Sequence, residues 1–223
     1  MQRTIRAVAG GLIAVLVLLW GTVWLAREAP NSAVGVAVRG VAGLFGGAAA
    51  PSAGIAVPGG VQIGGPFHLV DDQGRAVTDA SYRGRWMLVY FGYTTCPDVC
   101  PTELQTMVAA LDKLGPEAAS VVPLFVTVDP ERDTPSVLAG YVKLFDPRVV
   151  GLTGTPEQIA EAARAYRVYY AKATPKGSST YLMDHSSFVY LMDPQGRFSA
   201  LFGQGSSADD LASGIQERLS QKS

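Results

Sequence analysis

Residues 86–116 read WMLVYFGYTTCPDVCPTELQTMVAALDKLGP, and the order of their parts decides the architecture of the chain. Trp86 to Phe91 is an unbroken apolar run of strand formers, the pattern of a strand covered on both faces and therefore central in its sheet. Gly92 to Pro101 is a short loop holding Cys96 and Cys100. Thr102 to Leu114 then puts Leu104, Val108 and Leu111 on one helical stripe and stops at Gly115-Pro116. Such a strand-to-helix turn lies beyond the carboxyl end of a strand, where ligands gather in open α/β sheets. Pro101 fits the first helical position, which predicts Cys100 near the N-cap and Cys96 in the loop just before it.

On the amino-terminal side, 66–77 read as two short strands around the turn cluster Asp71-Asp72-Gln73-Gly74. On the carboxyl side, Val121 to Val128 is a second buried strand, and its inner Pro123 predicts that the strand proper begins at Leu124. Thr134 caps a helix with Pro135 at its first position, running through Leu138, Tyr141, Val142 and Phe145. Val149 to Leu152 is a brief strand, and Thr155-Pro156-Glu157 opens a helix through Ile159, Ala163 and Tyr166. The polar stretch Lys172 to Thr180, bracketed by Tyr169, Tyr170 and Tyr181, is expected as a mobile loop that carries His185. Ser187 to Met192, the turn Asp193-Pro194-Gln195-Gly196, and Arg197 to Phe202 read as an antiparallel hairpin, followed by a helix from about Ser207. Parallel βαβ units closed by a hairpin and a helix predict an α/β sandwich of thioredoxin type over 61–223.

The chain ahead of this domain is different in kind. Ala7 to Ala26 is free of charge, long enough as a helix to span about 30 Å of hydrocarbon. Residues 1–27 are therefore expected to be an N-terminal transmembrane helix. Arg3 and Arg6 place its short end in the cytoplasm and everything after Arg27 across the membrane. A cleaved signal peptide would need a shorter apolar core and a better cleavage site than Leu25-Ala26-Arg27-Glu28-Ala29. Residues 28–60, rich in Gly, Ala, Ser and Pro, are expected to be a flexible tether. Eighteen basic against nineteen acidic side chains give a net charge of −1, which offers nothing for nucleic acid.

Two cysteines and two histidines are all the chain has. The cysteines are too few and too close for a disulfide framework, and the histidines too few for a multi-histidine metal site. Helix amides and dipole are expected to lower the pKa of Cys100, and of Cys96 with it. Two such thiolates suit Cu(I) or Zn(II) and serve thiol–disulfide exchange equally well. His185, in Met183-Asp184-His185-Ser186, stands just before a strand that neighbours the cysteine loop in a sheet of this type, and so makes a two-sulfur, one-nitrogen site available. His68 reads as a partly exposed strand residue. Asp129 follows the second buried strand on the same edge as the cysteines and is a candidate to orient a donor or meet a partner. Asp98 is a candidate to tune the sulfurs, though its turn propensity alone explains it. A peroxidase on the same fold would want Pro-x-x-x-Thr-x-x-Cys, and FGYTT before Cys96 lacks that proline.

GGPFHLVDDQGRAVTD, YFGYTTCPDVCPTEL, VTVDPERDTP and DHSSFVYLMDPQGRF occur in this order between about 64 and 203, and the segment resembles the Sco/SenC family of copper chaperones. The resemblance implies copper held by Cys96, Cys100 and His185. It also implies delivery to the copper A subunit of cytochrome c oxidase or another copper-receiving protein, with a copper donor protein to load it. The short basic amino terminus, without an Arg- and Ser-rich transit peptide, is what leads to the expectation of a bacterial cytoplasmic membrane with the domain in the periplasm. Thr95 departs from the pattern, because many members carry histidine there; that histidine is not a ligand in the family. The competing function is an extracytoplasmic thiol–disulfide reductase, with Cys96 as attacker, that keeps a cuproprotein's cysteines reduced.

Overall fold

The computed structural model describes residues 55, 61–177 and 179–221. The expected anchor 1–27, and the expected tether apart from Ile55, lie outside these residues. Among the described residues no helix is long and apolar enough to cross a membrane.

Nine strands are described: β1 (His68–Asp71), β2 (Ala76–Thr78), β3 (Trp86–Gly92), β4 (Val121–Thr127), β5 (Val150–Thr153), β6 (Tyr170–Ala173), β7 (Leu182–His185), β8 (Phe188–Met192) and β9 (Phe198–Gly203). Four helices accompany them: α1 (Val99–Leu114), α2 (Pro135–Val142), α3 (Pro156–Ala165) and α4 (Ala208–Ser220). Seven strands form one sheet in the order β2-β1-β5-β4-β3-β8-β9, while β6 and β7 pair only with each other. β3, β4 and β5 run parallel, and β8 and β9 close the sheet as an antiparallel hairpin. This is the α/β arrangement of thioredoxin type that the alternation of elements implied.

β3 is central for the reason its composition gives. All seven of its residues are buried, with β4 on one side and β8 on the other. α1 packs against α4, and both cover the sheet together with α2 and α3. The first turn of α1 differs from expectation. Asp98 is the N-cap and Val99 the first helical residue, so Cys100 and Pro101 both lie inside the first turn. Pro101 is tolerated there because the leading amides of a helix have no intrahelical acceptor in any case. The buried stripe runs through Cys100, Leu104, Met107 and Leu111, with Val108 at its margin.

β4 also begins earlier than Pro123 suggested. It starts at Val121, and Pro123 stands opposite Leu88 of β3. Pairing with β5 starts only at Leu124. On that flank the missing N–H of Pro123 costs no ladder bond, which is the edge condition under which strands accept proline. α2 and α3 follow their caps: Thr134 Oγ1 accepts from Val137 N, and Thr155 with Gln158 makes a capping box.

Of the stretch expected as a loop, 172–180, only Lys172 and Ala173 are strand, and a strand stands on either side of the loop proper. Tyr170 to Ala173 and Leu182 to His185 form a short antiparallel hairpin whose register puts His185 opposite Tyr170. The described residues of its connection are irregular, and those from 174 to 180 are exposed. Alternation was hard to see because Lys172 and Asp184 face solvent within strands of four residues each.

Leu88 is fully buried on β3. Leu88→Ala is expected to lower the unfolding free energy by about 2–5 kcal/mol with an unchanged denaturant m-value, measured by urea titration.

Candidate metal centre

β3 and β4 end level with each other, Gly92 opposite Thr127, and both chains leave the sheet at that edge. Val128 N–H donates to Gly92 O at 2.8 Å, which holds the two exits together. A buried carboxylate continues the bond. Asp133 accepts from Thr94 N at 3.0 Å, Thr94 Oγ1 at 2.6 Å and Thr127 Oγ1 at 2.6 Å. The cysteine loop is thereby anchored at its base two residues before Cys96. The run Asp129 to Asp133 was legible as a cap sequence, but a carboxylate reaching back to Thr94 across 39 residues left no local signal.

Cys96 then sits half-buried in the loop, and Cys100 is wholly buried in the first turn of α1. Cys100 N–H points at the Cys96 sulfur at 3.4 Å, so the helix amides do reach a thiolate. The sulfur they serve is Cys96. The Cys100 thiol, directed at the Cys96 sulfur, brings Cys96 down to about 3, and His185 with the amides of Asp98 and Cys100 acts the same way against burial. Cys100 goes in the opposite direction to the expected lowering. The Cys96 neighbour comes first and burial second in pushing it up, because two thiols this close do not both ionise readily.

His185, at the end of β7, completes the group. Its Nε2 lies 3.5 Å from Cys100 Sγ, and its Nδ1 lies 3.0 Å from the Ser186 carbonyl. A carbonyl only accepts, so Nδ1 carries a proton, and in the neutral ring Nε2, beside the sulfur, is the nitrogen with a lone pair to offer a metal. The rings of Tyr93 and Tyr90 meet the imidazole edge-on, with centroids 5.8 and 6.2 Å away. Neither tyrosine was singled out from sequence. Burial drives the Tyr90 hydroxyl upward, so it stays protonated beside Cys100.

Cys96, Cys100 and His185 are thus brought together from 85 residues apart in the chain. Among the described residues no three His, Cys, Asp or Glu side chains have closed into a metal cage. The Cys100 to His185 pair nonetheless has a bridging distance. A metal about 2.3 Å from sulfur and about 2.0 Å from nitrogen separates those atoms by about 3.5–3.8 Å between tetrahedral and trigonal angles. An open cleft of about 310 Å³ reaches Cys96 and His185, with Pro97, Asp98, Leu182 and Asp184 on its walls.

The other candidates fall outside the centre. His68 is exposed on β1, three places from β3 in the sheet. Asp98 is exposed, caps α1 through its position rather than a side-chain bond, and lines the cleft. Asp129 is buried and bonds to Arg132 and to the Tyr181 hydroxyl. Thr95 is exposed. Gly92 has a steric duty, because a Cβ there would come within 2.9 Å of Cys100 Sγ and 2.8 Å of the Phe125 ring.

Residues 56–220 match the SCO1/SenC family. A mitochondrial SCO1 homologue from Arabidopsis thaliana is 46% identical over 172 residues, which cover 77% of this chain and 50% of that protein. The chain therefore spans about half the length of that curated relative. The crystal structure of Arabidopsis thaliana ScoI with copper bound superposes with a TM-score of 0.68 at 46% identity, over 71% of this chain and 99% of that one. The copper-bound ScoI of Bradyrhizobium japonicum gives 0.64 at 44% identity, over 70% and 98%. A structure reporting a disulfide switch in BsSco, of the Sco family of cytochrome c oxidase assembly proteins, gives 0.57 at 26%, over 73% and 96%.

Two outcomes follow from the geometry. A thiol whose folded pKa is depressed stabilises the fold above its unfolded value near 9 and loses that contribution as pH falls toward about 3. Cys96 is thus a thiolate at pH 5, where iodoacetamide is expected to label Cys96 and leave Cys100 unmodified, read by mass spectrometry. Gly92→Ala is expected to cost about 1–3 kcal/mol in thermal or urea unfolding, since the added methyl displaces Phe125 or the Cys100 sulfur.

Proposed function

The chain belongs to the SCO1/SenC family, and from that premise we propose that it carries copper on Cys96, Cys100 and His185 and hands it to another copper protein. The single observation that carries the reading is the His185 imidazole, with Nε2 3.5 Å from the Cys100 sulfur and Nδ1 3.0 Å from the Ser186 carbonyl. Support comes also from the copper-bound relatives with 44–46% identity.

The donor set suits Cu(I), which favours soft sulfur and imidazole ligands. Cys96 offers a sulfur that is already ionised. Cys100 surrenders its proton as the metal takes its place, so loading releases acid. Copper is cargo here. The half-buried Cys96 and the cleft beside it give a donor protein and a recipient a way to reach it. The proposed recipient is the copper A subunit of cytochrome c oxidase, in keeping with the oxidase-assembly family of the BsSco relative. Residues 7–26 are proposed as the anchor of a bacterial cytoplasmic membrane protein whose domain faces the periplasm; the support is the uncharged run and its flanking arginines.

A second reading is favoured by one observation, the unequal thiols. An ionised, reachable Cys96 ahead of a protonated, buried Cys100 is the arrangement of an attacking and a resolving cysteine in disulfide exchange. That activity needs no histidine. Cu(I) affinity by competition with a chromogenic chelator, anaerobically, separates the two. The parent chain is expected to bind one ion tightly, and His185→Ala to bind about tenfold or more weakly while its exchange with a model disulfide is retained. Copper binding indifferent to His185 would leave a dithiol oxidoreductase.

A further inference from the structure

The β6–β7 hairpin, which bears His185, pairs with no strand of the main sheet. A two-stranded ribbon of this size has little stability of its own, so its placement depends on side chains that hold it down. Met183 of β7 is buried and its backbone is met by Tyr93, and a second set of side chains converges on Tyr181, one residue before β7. The Tyr181 hydroxyl donates to Asp129 Oδ1 at 2.9 Å, and the Tyr181 carbonyl accepts from Arg132 Nη1 at 3.0 Å. The Arg132 guanidinium stands 3.9 Å from the centre of the Tyr181 ring and 5.9 Å from that of Tyr93. Arg132 Nε in turn pairs with Asp129 Oδ2. Lys172 on β6 adds a second cation, 4.6 Å from the Tyr181 ring and held by Glu131.

The foundation of this cluster is firm. Asp129 is 1% exposed, and its own N–H is tied to Thr127 Oγ1 at the end of β4. Charge-assisted bonds to a carboxylate in that setting are among the strongest side-chain bonds available. Arg132 grips one point of the hairpin through a hydrogen bond and a ring stack together, while Tyr93, its other ring neighbour, meets the His185 imidazole edge-on. Asp129, Arg132 and Tyr181 bond to one another rather than to sulfur or imidazole. Their effect on the centre passes through backbone, from Tyr181 along the four residues of β7 to His185. The guanidinium is not fully matched, because its buried Nη2 finds no partner among the described residues.

We propose that Arg132, clamped to Asp129 and stacked on Tyr181, is a positioning residue that latches the β6–β7 hairpin and so sets His185 over Cys100. Its metal readout rests on the copper-carrier reading; its structural readout does not.

The test uses the full chain in detergent, as parent, Arg132→Met, Tyr181→Phe, His185→Ala and the Arg132→Met/His185→Ala double variant. Arg132→Met is expected to weaken Cu(I) binding about tenfold, and Tyr181→Phe, which loses only the hydroxyl, by a smaller factor in the same direction. Adding Arg132→Met to His185→Ala is expected to change nothing further, because the latch acts through the histidine. An unchanged affinity in both single latch variants, or an equal loss in the His185→Ala background, overturns the proposal. The chain has two histidines, so the ring resonances of metal-free His185 and His68 can be followed separately. Both latch variants are expected to shift or broaden His185 and leave His68 in place. A His185 resonance that stays put overturns the latch, whatever the copper result. If the parent binds no copper while His185 still responds to the latch variants, the latch stands and the carrier reading falls.

Discussion

The Asp133 carboxylate is the constraint on which the metal centre rests. It is wholly buried and would be costly there without partners, yet it has three donors from two elements that the sheet alone would let drift apart. Thr127 marks the end of β4 and Thr94 the start of the cysteine loop. Once both are tied to one side chain, the loop has little freedom before Cys96, and α1 begins three residues after it. Thr127 Oγ1 also accepts from Asp129 N, so the same cluster sets the residue that receives Arg132 and Tyr181. The base of the cysteine loop and the footing of the histidine hairpin are therefore parts of one hydrogen-bonded unit at the end of β4.

The asymmetry of the two cysteines follows from where that unit places them. Cys96 lies outside the helix, where amide N–H groups and a neighbouring thiol can all point at it. Cys100 lies within the helix on its buried stripe, packed beside Gly92, Tyr90 and Phe125. Burial and a neighbouring thiolate both oppose its ionisation. A helix N-terminus is commonly credited with activating whichever cysteine is closest in sequence. Here the sulfur that benefits is the one the amides face.

Much of this was legible in the chain. Trp86 to Phe91 could only be a covered strand, the threonine-proline caps announced α2 and α3, and Gly74 marked the turn between β1 and β2. The cysteine pair and His185 were legible as a candidate group, and the geometry brings them together. What could not be read has physical reasons. The N-cap of α1 fell on Asp98 rather than Cys100, because proline is tolerated anywhere in a first turn and not only at its first position. β6 and β7 were hidden because four-residue strands with solvent-facing charges show no period. The roles of Asp133, Arg132, Tyr181 and Tyr93 depend on partners tens of residues away, which no local pattern encodes.

The distance in sequence between Cys100 and His185 bears on how the molecule comes into being. Bringing Cys100 and His185 together closes a loop of 85 residues, and the pairing of β8 with β3 is likewise non-local. A chain that ends after β5 carries both cysteines and His68 but lacks His185. The third donor is supplied by β7, which follows the parallel strands in sequence and precedes the β8–β9 hairpin. The full donor set therefore exists only in a chain that extends through β7, and a molecule truncated before it is chemically distinguishable from a finished one by the ligand it lacks.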